Sequence, residues 1–179
     1  MGAVNKIWDD QLHADAFWNL YDLHVEGCNN LLNIGPFGIL ERLQKLNWLE
    51  IKECDSLEEV FGFAEQGGNQ SQDPINSTPP TSMDDGVRNG IKFNKLEHLE
   101  LYYLQRLKTF CSLDCDIEFP SLEKAVIMGC PRMQSFSIGE SVTLKLLKVH
   151  WNDITDEGSW KGDINTTIQE MFTEKVRTH

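Results

Sequence analysis

The chain has no uninterrupted apolar run near the roughly 18–20 residues that a membrane-spanning helix needs. It carries no secretory signal, and Met1-Gly2-Ala3-Val4-Asn5-Lys6 lacks the Ser or Thr that myristoylation requires at the sixth position. Positive charge is short. Against 28 Asp and Glu stand 16 Lys and Arg, a net charge of −12 that disfavours a nucleic-acid backbone as the main partner. There is no glycine-rich phosphate cradle, no His-Glu-x-x-His pair and no nucleophile elbow. Cysteines number five, an odd count that, without a secretory signal, points to a reducing compartment. The triplets beginning at Asn69, Asn76 and Asn165 match the glycosylation pattern, which means little without a secretory route. These gaps lead us to expect a soluble, cytoplasmic protein with no cofactor, no metal and no enzymatic activity.

What the chain does have is one spacing repeated five times, L-x-x-L-x-[L/I/V]-x-x-[C/N/L]. The copies begin at Leu20, Leu46, Leu96, Leu122 and Leu144, so successive starts are 26, 50, 26 and 22 residues apart. Apart from the 50-residue step, these fall near the 20–29 residues of leucine-rich repeats. Within each copy two apolar residues sit two apart: Leu23/Val25, Leu49/Ile51, Leu99/Leu101, Ala125/Ile127 and Leu147/Val149. On an extended strand such pairs point to one side. A five-residue strand cannot bury them alone, but parallel stacking merges them into one core. The expected fold is therefore α/β: a leucine-rich-repeat solenoid with a curved parallel sheet on its concave face. Irregular loops and short helices are expected on the convex face, with a helical cap at the C-terminus.

Residues 1–64 and 91–155 are expected to form one solenoid, interrupted by an insertion at 65–90 and closed by a cap at 156–179. The insertion is mostly Gly, Asn, Gln, Ser, Asp, Pro and Thr, so it has little to bury and should leave the solenoid as a disordered loop. Ile7-Trp8 reads as the tail of a repeat whose strand is missing, and no N-terminal cap is visible, so a fragment of a longer protein is expected. Pro36 should start a short convex-side helix carrying Phe37, Leu40 and Leu43. Phe61, Phe110 and Phe136 recur at matching offsets and read as core plugs. Cys28, Cys54 and Cys130 share one repeat position, where a small buried side chain suits the turn after the strand. Leu104 takes that place in the third copy, so its turn should be less regular. Cys111-x-x-x-Cys115 lacks the second pair that a tetrahedral zinc site would need. Near the end, Asn165 reads as the N-cap of a helix whose face carries Ile168, Met171, Phe172 and Val176.

Strand alternation sends the residues between the core leucines to the concave face. They run Asp22, His24, Glu26 in the first copy, Trp48, Glu50, Lys52 in the second and His98, Glu100, Tyr102 in the third. The fourth supplies Lys124, Val126 and Met128, and the fifth Leu146, Lys148 and His150. All but Val126 and Leu146 form the candidate binding surface, because Trp, Tyr and Met are enriched at protein interfaces. Glu50 should lie beside Glu100, and two close carboxylates would favour a basic or polar partner. None of the three histidines has a nucleophile or an orienting carboxylate fixed beside it by a motif, so a general-base role is not expected.

The stretches Leu23-His24-Val25-Glu26-Gly27-Cys28 and Cys54-Asp55-Ser56-Leu57-Glu58-Glu59-Val60-Phe61 carry a resemblance. So do Phe119-Pro120-Ser121-Leu122-Glu123 and the tail from Trp160 to Gln169. Together the chain resembles the C-terminal leucine-rich-repeat region of plant coiled-coil, nucleotide-binding disease-resistance proteins. The resemblance implies pathogen perception: contact with an effector or a guarded host protein, and restraint of a nucleotide-binding part. That part has no counterpart in this chain, so an ATP switch does not carry over. A substrate-recruiting domain of a ubiquitin-ligase receptor is the alternative; it would need an F-box-like segment, and residues 1–20 do not look like one. A non-functional receptor fragment is a third possibility.

Overall fold

The computed structural model describes residues 7–8, 17–62, 90–151 and 157–177. Each of the first four copies supplies a five-residue strand: β1 (Asp22–Glu26), β3 (Trp48–Lys52), β6 (His98–Tyr102) and β9 (Lys124–Met128). With β11 (Val149–His150) they pair in parallel in the order β1-β3-β6-β9-β11. The core side chains meet in register, Leu23 with Leu49, Leu49 with Leu99, and Leu99 with Ala125. Leu49, Ile51, Leu99, Leu101, Ala125 and Ile127 have no exposed surface. β3 pairs directly with β6, so the 50-residue step leaves no gap in the ladder. The expected insertion falls outside the described residues except for exposed Gly90.

The side opposite the large sheet is more regular than expected. Besides one 3₁₀ helix, Phe37–Arg42, it carries two further three-stranded parallel ladders. One joins β2 (Gly35–Pro36), β4 (Glu59–Gly62) and β7 (Thr109–Cys111); the other joins β5 (Ile91–Lys92), β8 (Ile117–Phe119) and β10 (Ser141–Thr143). A double row of phenylalanines links the two ladders. Phe61, Phe110 and Phe136 form one row and Phe93 and Phe119 the other, none more than 1% exposed. Phe110 stacks on Phe136 at 4.6 Å, and Phe93 on Phe119 at 5.1 Å. The rows touch edge to face through Phe110–Phe119 at 5.9 Å and Phe119–Phe136 at 5.7 Å. The plug role read for the first row therefore covers only half of it. Phe93 and Phe119 stand three residues before Leu96 and Leu122, a spacing visible in the sequence.

The turn after the large-sheet strand has a common geometry in the first four copies. Gly27, Glu53, Tyr103 and Gly129 all take left-handed backbone, with φ of 68°, 53°, 54° and 66°. Three of them still donate an N–H to the next strand: Gly27 to Lys52, Glu53 to Tyr102 and Tyr103 to Met128. A backbone bond three residues long follows in each of the first four copies, from Leu31 to Cys28, Leu57 to Cys54, Leu107 to Leu104 and Met133 to Cys130. The third copy is thus as regular as the others, because the main chain closes this turn whatever the side chain. Left-handed backbone costs a non-glycine residue about 1–2 kcal/mol. A β-carbon on Gly27 would meet nothing within 4 Å, so Gly27→Ala isolates that cost. We expect it to lower stability by about 1 kcal/mol in urea unfolding. Gly129→Ala should cost more, since its β-carbon would lie 2.6 Å from Cδ1 of Tyr103. A neutral Gly27→Ala would refute the conformational argument.

The fifth copy is shifted from its expected phase. Leu144 and Leu147 are 74% and 79% exposed, whereas Leu146, Val149 and Trp151 are buried, and Val149 pairs with Ala125. The copy begins at Leu146, with Trp151 in the place of Ile127. The segment Leu144-Lys145-Leu146-Leu147-Lys148-Val149-His150-Trp151 fits the spacing in both phases, and the one adopted buries the indole. The stack ends in α1 (Ile164–Arg177), whose Ile164 and Ile168 enter the core; Met171 packs against it, but Val176 is 62% exposed. Asp163 caps this helix, its carboxylate accepting the Thr166 N–H at 2.8 Å. Asn165 instead ties the helix to the fourth copy of the solenoid. Its side-chain oxygen accepts the N–H groups of Phe136 and Ser137, and its amide donates to Ser137 Oγ and the Gly139 carbonyl. A helix docked by its first turn needs both residues: one to satisfy its own end, one to satisfy the surface it meets.

Candidate functional site

The pairing register sorts the outer residues of the large sheet into three rungs. The first holds Asp22, Trp48, His98 and Lys124, and the register places Lys148, one residue before β11, at its end. The second holds His24, Glu50, Glu100, Val126 and His150; the third holds Glu26, Lys52, Tyr102 and Met128. Every candidate residue lies on this face. The two-residue shift of the fifth copy preserves the side of Lys148 and His150 but moves each along by one rung. It also sends Leu146 into the core. Val126, read as part of an apolar surface with Met128, keeps its place in the second rung but is fully buried.

Glu50 and Glu100 do lie side by side, yet neither carboxylate awaits a partner. Glu50 meets His24 Nδ1 at 2.8 Å. Glu100 accepts Lys124 Nζ and the Tyr102 hydroxyl, both at 2.7 Å, and is only 5% exposed. Burial alone would raise its carboxyl's pKa. The hydrogen bonds from Lys124 and Tyr102, with the charges of Lys124 and His98, outweigh burial and bring it below the ordinary carboxylate value. Burial, then the bond to Glu100, pushes the Tyr102 phenol well above its usual range. In the third rung Lys52 pairs with Glu26 at 3.0 Å. Each carboxylate expected to draw in a basic partner is thus already held by a neighbour within the face.

The Glu100 cluster has a pH signature. A carboxyl whose pKa is lower folded than unfolded stabilises the fold above its unfolded value, about 4.3, and that contribution fades as pH falls through the folded value. The gap in urea midpoint between wild type and Glu100→Gln should therefore be wide at pH 7 and narrow near pH 3. A gap that stays constant would mean that the carboxylate's charge contributes nothing.

Trp48 stands second in the first rung, its ring 5.2 Å from His24 of the second rung and 5.5 Å from His98. Its indole N–H is buried without an acceptor among the described residues. The cysteines take no part in the face. Cys54, Cys111, Cys115 and Cys130 are buried, and desolvation pushes the thiols of Cys115 and Cys130 up to about 12. A protonated thiol is neither a nucleophile nor a metal ligand. Among the described residues no three His, Cys, Asp or Glu are placed to hold a metal ion. No described helix is long and apolar enough to cross a membrane.

A family model of plant RPS2-like disease-resistance proteins, covering their leucine-rich repeats, matches residues 1–151. No curated protein and no solved structure matches the chain. The matched stretch takes in all five strands of the large sheet, from β1 to β11, together with the paired rungs they carry. With the stacked copies, their register and this match in agreement, the chain belongs to the RPS2-like leucine-rich-repeat family of plant disease-resistance proteins.

Proposed function

We propose that this solenoid is a non-catalytic recognition module of an intracellular plant immune receptor, acting in the cytoplasm. Its concave face would contact a pathogen effector or a guarded host protein, and its surface would also rest against the nucleotide-binding part of a parent receptor. Family membership supports a repeat module that binds proteins. The observation that points to this face is the partly exposed aromatic centre, Trp48 between two histidines, surrounded by charge. Large aromatic residues in such settings tend to dominate binding energy.

The test is titration of the chain with a candidate effector or host protein. Trp48→Ala with His98→Ala should weaken binding by about thirtyfold, the loss of about 2 kcal/mol expected of a hot spot. Glu41→Ala, an exposed position on the opposite side, should leave it unchanged. Full binding by the double variant, with loss on changing Glu41, would place the contact elsewhere.

A further inference from the structure

The three rungs are not equivalent. In the second and third, Glu50, Glu100, Glu26 and Lys52 all satisfy one another or a neighbour. The first rung gives Lys124 to Glu100 but keeps the charges at its two ends. Asp22 is exposed at one end and makes no ion pair among the described residues. Lys148 at the other end is likewise exposed and unpaired among the described residues. Its stem lies over Gly158, where a β-carbon would come within 3.1 Å of Lys148 Cβ and Cδ. Between them stand Trp48, with its unsatisfied N–H, then His98, and then Lys124, whose ammonium is held by Glu100 at 2.7 Å.

We propose that this rung receives an extended segment of a partner protein lying across the strands. A basic side chain would sit over Asp22, an apolar or flat side chain on Trp48, and an acidic side chain at Lys148. This refines the recognition reading above and rests on it. The length follows from the sheet: four gaps of about 4.8 Å separate Asp22 from Lys148, roughly 19 Å, which about six residues at 3.3 Å each can span. The shape follows from the width. One rung is a single line of side chains, and a helix 10–12 Å across would also press on the self-paired second rung. The polarity follows from the end charges, since a uniformly acidic or basic segment would place like charges together at one end.

The full chain can be titrated with three fluorescent seven-residue peptides. Each has tyrosine as its third residue; one has arginine at the first position and glutamate at the last, one has arginine at both ends, and one has glutamate at both. The mixed peptide should bind roughly three- to tenfold tighter than either of the others, the sum of two exposed charge contacts. Asp22→Lys should transfer the preference to the doubly acidic peptide, and Lys148→Glu to the doubly basic one. Both positions are exposed, and circular dichroism can verify that the variants fold. Equal binding of all three peptides, no binding of the mixed peptide at about 1 mM, or a preference unmoved by both reversals would overturn the proposal. None of those results touches the recognition reading, which stands or falls on the Trp48/His98 titration with an intact protein partner.

Discussion

Phe110→Ala is expected to cost about 3–5 kcal/mol, a loss at the top of the range for a single buried side chain. Phe110 is fully buried and touches Phe61 at 5.4 Å, Phe93 at 6.3 Å, Phe119 at 5.9 Å and Phe136 at 4.6 Å. Removing it deletes the transfer energy of a whole ring and opens a cavity that four rigid rings, held from two ladders, cannot close. It also removes aromatic pairings worth about 0.5–1.5 kcal/mol each beyond burial. Phe110→Leu retains most of the volume and should recover more than half of the loss. Urea unfolding of the three proteins decides the matter. If Phe110→Ala falls within about 1 kcal/mol of wild type, the double row is not a unit of stability.

The second large effect separates core from face within single strands. Leu49→Ala and Ile127→Ala should each cost about 2–5 kcal/mol, because both side chains are sealed between neighbouring strands. Glu50→Ala, one residue from Leu49, should cost about 1 kcal/mol or less, since it breaks only a partly exposed pair with His24. Lys124 does not belong with Glu50 in this comparison, although it sits on the same face. It neutralises the nearly buried Glu100, and its removal leaves a carboxylate without its cation, so Lys124→Ala should cost more than Glu50→Ala. Equal losses for Leu49→Ala and Glu50→Ala would show the strand phase to be wrong by one residue.

The leucine spacing was a sufficient guide to the large sheet because each strand buries residues two apart, and the leucine that opens each of the first four copies fixes which side that is. The fifth offered two phases. Leu147-x-Val149 and Val149-x-Trp151 are equally good strands by pattern, and only pairing against Ala125 chooses between them. The face of every candidate residue was legible for the same reason: alternation survives a two-residue slip. The partners within the face were not legible. That Glu100 would be enclosed by Lys124 and Tyr102 depends on which residues become neighbours across a register, and the spacing carries no record of side-chain reach. At the C-terminus, Asp163 and Asn165 are both good cap residues by type. The one nearer the expected boundary proved to serve the neighbouring turn instead.

The direct union of β3 with β6, reinforced by Phe61 against Phe93 and Phe110, makes the covalent path from Gly62 to Gly90 redundant in space. A protease that nicked the chain between those glycines would sever the polymer without separating the particle. Such a molecule would run as two bands under denaturing conditions and as one under native conditions. The two pieces, produced separately, would carry matching surfaces on which to find each other again.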